Sequence, residues 1–121
     1  MSQAIILFAH GARDPEWAGP LLRLAEAVRH AEPGAQVRTA FLEFMTPDLV
    51  TAAEQAVHDG ASTLIVVPVF LAQGGHVRRD VPLMLERIRT QHPGVHVELR
   101  AAIGEAQPVI DVMAQVVLGK V

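Results

Sequence analysis

The sequence predicts one α/β domain: a three-layer, flavodoxin-like arrangement with a four-stranded parallel sheet in the order 2-1-3-4 and helices on both faces. Three observations predict it. Short, nearly continuous apolar segments alternate along the chain with segments whose apolar residues recur at helical spacing. The length of 121 residues suits one domain with a real core and is too short for two ordinary ones. Hydrophobic residues make up 50% of the chain and charged ones 19%, a balance that excludes disorder; with aromatics at 4%, the core must be aliphatic.

Each element has its own signal. Gln3 to His10 is an apolar run ending at Gly11, too continuous for a strand with one wet face, and reads as a buried parallel strand. Pro15 to Ala31 sets Trp17, Leu21, Leu24 or Ala25, and Val28 at helical spacing, with Gly19-Pro20 delaying the regular helix and Pro33-Gly34 ending it. Ala35 to Leu42 is a strand whose partial alternation suggests an edge. Thr46-Pro47 starts a helix that runs to Gly60, with Val50, Ala53 and Val57 as its apolar stripe. Ser62 to Val69 is the strongest strand, rich in Val and Ile, with Pro68 stopping its ladder. Phe70 to Asp80 reads as a long loop, followed by a helix from Val81 to Gln91, a strand from Val95 to Arg100 and a last helix from Gln107 to Leu118.

Composition narrows the chemistry. The chain has no cysteine, so thiolate metal sites, disulfides and cysteine nucleophiles are absent, and any metal must rest on His, Asp or Glu. Ten Lys and Arg against 13 Asp and Glu leave a net charge of -3, without a general field for nucleic acid. The longest apolar runs, Ala4 to Ala9 and Leu64 to Ala72, are far below the ~18 residues of a membrane span. With no basic stretch before the first run, a cytoplasmic protein without membrane partners is expected.

In parallel sheets ligands bind beyond the carboxyl ends of the strands. His10 closes the first strand, Glu43 follows the second, and His76 lies in the loop after the third, so the predicted order brings all three to one edge. Two imidazoles and a carboxylate suit an intermediate divalent metal and leave coordination positions open. Each also has a plainer reading: a strand-end histidine bonding a loop carbonyl, or a glutamate at a helix start. Gly74 and Gly75 before His76 suggest a close backbone approach or unusual dihedrals. Arg13, Arg78 and Arg79 surround the histidines and suit carboxylate or phosphate, unless they merely pair with Asp14 and Asp80. Phe44, Met45, Phe70 and Leu71 offer apolar walls, while Met84 reads as core. His30, His58, His92 and His96 read as surface residues.

Ile6 to Asp14, with Phe-Ala-His-Gly-Ala-Arg-Asp at its end, and Val67 to Pro82, with Gln-Gly-Gly-His-Val-Arg-Arg-Asp within it, resemble the two signature regions of the sirohydrochlorin chelatases, the CbiX/SirB group of class II tetrapyrrole chelatases. Phe41-Leu42-Glu43, followed by Thr46-Pro47, resembles the group's middle region, so the likeness covers essentially the whole chain. The resemblance implies insertion of Co²⁺, or of Fe²⁺ or Ni²⁺, into sirohydrochlorin on the route to cobalamin or sirohaem, with the metal as a substrate and no permanently bound cofactor. It implies His10 and His76 as metal-binding and catalytic residues and Glu43 as the acidic ligand, the most variable of the three. Longer members hold two such lobes around a cleft, so a chain of this length is expected to form a homodimer. Arg13, Arg78, Arg79, Phe44 and Phe70 would then bind a flat macrocycle rimmed with carboxylates.

Two other readings use the same residues. A phosphohistidine enzyme also places His-Gly after its first strand, but with Arg before the histidine, where this chain has Ala9. A non-catalytic carrier of metal or tetrapyrrole would bind without accelerating insertion. A nucleotide or flavin module lacks support, since no Ser/Thr/Gly-rich phosphate loop follows the first strand.

Overall fold

The apolar N-terminal run forms β1 (Gln3–Ala9), paired on both edges because neither of its faces is polar. Ile5 stands opposite Val37 of β2 (Gln36–Phe41) on one side and Ile65 of β3 (Thr63–Pro68) on the other. With β4 (His96–Leu99) beyond β3, the sheet is parallel throughout and has the order β2-β1-β3-β4 that the sequence predicts. The structure, a computed structural model, describes residues 2–121 except the side chain of His76.

Period-two alternation divides the strand residues between two faces. Ala4, Ile6 and Phe8 of β1 and Leu64 and Val66 of β3 pack beneath α2 (Leu49–His58) and α3 (Gly75–Gln91), against Ala52, Ala53 and Ala56 of the first helix and Val81, Leu85 and Ile88 of the second. The small alanines let α2 lie close to the sheet. Leu7, Ala9, Val37 and Phe41 face the other way and are covered by Leu21 and Ala25 of α1 (Gly19–Ala31).

Several boundaries differ from the sequence expectation, each for a local reason. The first helical segment opens as a 3-10 turn at Pro15–Ala18, where the Asp14 carboxylate accepts the Glu16 N–H at 3.0 Å, and becomes α-helical at Gly19. The second helix begins at Leu49 rather than at Thr46-Pro47, because Asp48 is the better cap: its carboxylate accepts the Thr51 N–H at 2.8 Å. Those Thr51 hydrogen bonds, outweighing slight burial, hold the Asp48 carboxyl below its ordinary range.

The largest difference is at Phe70 to Asp80. The helix expected at Val81 starts at Gly75, so most of the predicted loop is its first turns. The apolar spacing extends back to the buried Val77, and the Arg78 N–H reaches the Gly74 carbonyl at 2.9 Å. Pro82 sits inside the helix on its exposed side, where water can serve the carbonyl that its missing N–H leaves free. At the C-terminal end, a 3-10 turn at Ile103–Glu105 precedes α4 (Gln107–Val117), and none of the residues of α4 is buried.

Candidate metal and macrocycle site

The site grows from an extension of the β1–β2 ladder past the strand ends. The Leu42 N–H donates to the Ala9 carbonyl at 2.9 Å and the Glu43 N–H to the His10 carbonyl at 3.0 Å. Glu43 is thereby held beside His10 by the backbone itself. Gly11 makes this approach feasible: its φ is +87°, and a Cβ there would stand 1.9 Å from the Glu43 carbonyl oxygen. Any side chain at position 11 must therefore displace Glu43 or strain the turn. Sequence reasoning overlooked Gly11, although its place directly after His10 was a signal.

His10 is exposed and lies on Phe70, with ring centroids 4.3 Å apart and planes tilted by 39°. Phe70 in turn meets Phe8 edge-on at 5.9 Å, so the imidazole stands on an aromatic column rooted in the core. Phe70 is buried, only 5% exposed; it is a floor under His10 rather than the open apolar wall expected from the sequence. A cavity of about 640 Å³ opens beside this floor, lined by His10, Leu42, Glu43, Gly74, Val77, Asp80 and Met84. Its far wall is the start of α3, where His76 is the second residue. The His76 side chain lies outside the described residues, and among the described residues no three His, Asp or Glu side chains gather closely enough to hold a metal.

Asp80 is the unexpected member. It is half-buried and faces the cavity, where the sequence offered it only as a partner for arginines. The early start of α3 explains this: Asp80 falls one helical turn after His76, on a wall instead of in a loop.

The outer residues divide. Arg13 stacks its guanidinium 4.8 Å from the centroid of the Phe44 ring in a cation–π pair, and neither residue lines the cavity. Phe44 is 57% exposed and has a φ of 67°, rare for a bulky residue, in a turn closed by the Met45 N–H on the Glu43 carbonyl at 2.8 Å. Arg78 and Arg79 do not line the cavity; they donate to the carbonyls of Gln73 at 3.1 Å and Gly75 at 3.3 Å, stitching the approach to α3. Gly74 and Gly75 likewise differ from expectation, since both have ordinary dihedrals and an added Cβ would touch nothing within 4 Å. Met84 packs against the core and borders the cavity, Met45 is half-buried, and Leu71 is exposed. His30, His58 and His96 are exposed as read, whereas His92 is half-buried with Nε2 lacking a hydrogen-bond partner, at the opposite edge of the sheet.

No helix among the described residues is long and apolar enough to cross a membrane. The CbiX family model matches residues 4–118. A sirohydrochlorin cobaltochelatase of Methanocaldococcus jannaschii is 39% identical over 90 residues, covering 74% of this chain and 63% of that protein, less than two thirds of its length. The CbiX protein of Marinobacter aquaeolei VT8 has a crystal structure that superposes with a TM-score of 0.84 at 36% identity, covering 98% of this chain and 96% of that one. The sirohydrochlorin chelatase SirB of Bacillus subtilis subspecies spizizenii, crystallised with cobalt, gives 0.82 at 27% identity over 98% of this chain and 51% of its own. The paired His10 and Glu43 at the sheet's carboxyl edge, the strand order and a family match over nearly its whole length agree: the chain belongs to the CbiX family.

Proposed function

We propose that this chain is a sirohydrochlorin chelatase that inserts a divalent metal, Co²⁺ in preference to Fe²⁺ or Ni²⁺, on the route to cobalamin or sirohaem, in the cytoplasm. The observation that carries the reading is the backbone lock that sets Glu43 beside His10 at a cavity whose other wall is formed by Gly74 and the first turns of α3. The names of its relatives point the same way.

Insertion exchanges one M²⁺ for the two N–H protons of the macrocycle. The site must therefore hold the ion loosely, hand it over and take up protons. His10, exposed and without a closed ligand cage, offers a nitrogen that can bind the ion or accept a proton. In this reading Glu43 supplies a charged oxygen and His76 the second imidazole of the ligand set. A site with four protein ligands would trap the metal; this one leaves positions for the pyrrole nitrogens. Phe70 keeps the imidazole upright, while the stacked Arg13 and Phe44 offer a cation and an aromatic face to a flat ligand edged with carboxylates. Arg78 and Arg79 join in binding those carboxylates only when they release their carbonyl partners.

One copy provides one wall. The chain matches 51% of the SirB chain, and the reading accordingly includes a homodimer in which a second copy supplies the rest of the cleft. The test is the absorbance change of sirohydrochlorin on mixing with Co²⁺, Fe²⁺ or Ni²⁺, with and without the purified chain. The reading expects acceleration, greatest with Co²⁺; binding of metal or macrocycle without acceleration would identify a carrier instead.

A further inference from the structure

The stripe of α3 that lines the metal cavity continues past it. Asp80 and Met84 are followed at helical spacing by Arg87, so the three share one face of the helix, with about 10 Å along its axis from Asp80 to Arg87. Arg87 lines a second, smaller cavity of about 180 Å³, whose lining is apolar apart from Arg87 itself and Asp48. Leu42 and Met84 border both cavities, so the small one lies directly beside the large one. Met84, half-buried and unbranched, is an adaptable divider between them.

The two charges of the small cavity are differently employed. The Asp48 carboxylate is turned to its own helix, where it accepts the Thr51 N–H at 2.8 Å; that bonding is the main reason its carboxyl is held below the ordinary range, and Arg87 adds only a weaker attraction. Among the described residues no hydrogen bond or ion pair engages the Arg87 guanidinium. This separates it from the other arginines around the site: Arg78 and Arg79 are tied to backbone carbonyls, and Arg13 is stacked on Phe44. A planar guanidinium with its donors unused, bordering an apolar pocket, is suited to a carboxylate carried on a short apolar arm.

We propose that Arg87 is a specificity residue of the metal-insertion reaction: it binds one peripheral carboxylate of the tetrapyrrole and thereby fixes the rotation of the macrocycle over His10 and Glu43. The scale agrees. At ordinary bond lengths the carboxylate on a short side arm stands about 8 Å from the centre of such a macrocycle, comparable with the axial distance between Asp80 and Arg87. At about 30 Å³ for each water-sized group, the small cavity admits roughly six of them, enough for a carboxyethyl arm. A macrocycle held only at its central metal is free to turn in its own plane. One off-centre cation removes that freedom and presents the pyrrole nitrogens to the ion in a single geometry. The inference rests on the chelatase reading and adds the residue by which the site distinguishes a carboxylate-bearing tetrapyrrole from one whose arms are uncharged.

The test is Arg87→Met, which keeps the length of the side chain and removes its charge. Arg87 is exposed and its side chain bonds nothing in the fold, so the urea midpoint should stay that of wild type. In Co²⁺ insertion the KM for sirohydrochlorin should rise about 10-fold or more while the KM for Co²⁺ is unchanged, and Arg87→Lys should recover part of the loss. With the methyl ester of the same tetrapyrrole as substrate, wild type and Arg87→Met should be equal. An unchanged KM for sirohydrochlorin, or a loss shared equally by acid and ester, would overturn the proposal. Absorbance titration of sirohydrochlorin without metal separates this proposal from the reading it rests on. Tighter binding by wild type than by Arg87→Met, without accelerated insertion, retains the carboxylate seat and removes the chelatase; accelerated insertion with equal binding does the reverse. A wild-type chain that binds no sirohydrochlorin overturns both.

Discussion

Replacing Gly11 by alanine tests whether the His10–Glu43 pair depends on backbone geometry. The native φ of +87° costs an L-residue about 1–2 kcal/mol. The new methyl, 1.9 Å from the Glu43 carbonyl oxygen, cannot be tolerated without moving that peptide, which breaks the bonds from Leu42 to Ala9 and from Glu43 to His10. At about 1 kcal/mol net for each bond, the sum is about 3–4 kcal/mol. With a urea m-value of about 1.5 kcal/mol/M, the unfolding midpoint should fall by roughly 2 M. Metallation should fall too, even in the fraction that remains folded, because Glu43 no longer stands beside His10. Urea unfolding within about 0.5 kcal/mol of wild type, together with an unchanged metallation rate, would refute the reasoning.

Gly75→Ala is the matched control: with ordinary dihedrals and open space around it, the change should leave stability within about 0.5 kcal/mol, as urea unfolding will show. Asp48→Ala removes the α2 cap and should cost about 1 kcal/mol at pH 7. Because the folded-state pKa of Asp48 is lowered, its contribution is fully present above the unfolded-state value. It disappears as pH falls from about 4 through the folded value, so the gap between wild type and variant should close in acid unfolding curves. Ile88→Ala, at a fully buried position between α3 and the sheet, should cost about 2–5 kcal/mol by the same measurement.

Much of the fold was legible because its signals are local. Continuous apolar runs gave β1 and β3, and partial alternation marked β2 as an edge. The start of α3 was not legible: His-Val-Arg-Arg-Asp has no apolar pattern of its own beyond Val77, and Pro82 imitates a first-turn residue while sitting on an exposed helix face. Asp48 was overlooked for a similar reason, since Pro47 beside it offered a competing start signal.

For the site, strand order alone brought His10 and Glu43 together in the sequence reading, and the hydrogen-bonded ladder agrees. Properties that depend on contact across the fold were hidden. Gly11 matters through Glu43, 32 positions away in the sequence, and Phe70 matters through the ring of His10 above it. Conversely, Gly74-Gly75 looked special and is not, because glycine's freedom is used only where φ is positive or space is short. The arginines that the sequence grouped as one cationic rim separate into Arg13, stacked on Phe44, and Arg78 and Arg79, tied to backbone carbonyls.

The central claim is that His10 takes part in moving a metal into a tetrapyrrole. Its most direct test is the initial rate of Co²⁺ insertion into sirohydrochlorin by the His10→Ala variant, with circular dichroism confirming the fold. His10 is exposed and makes no hydrogen bond that the fold needs from its side chain, so the variant should stay folded and lose at least about 100-fold in rate. A folded His10→Ala protein that inserts cobalt at the wild-type rate would contradict the account.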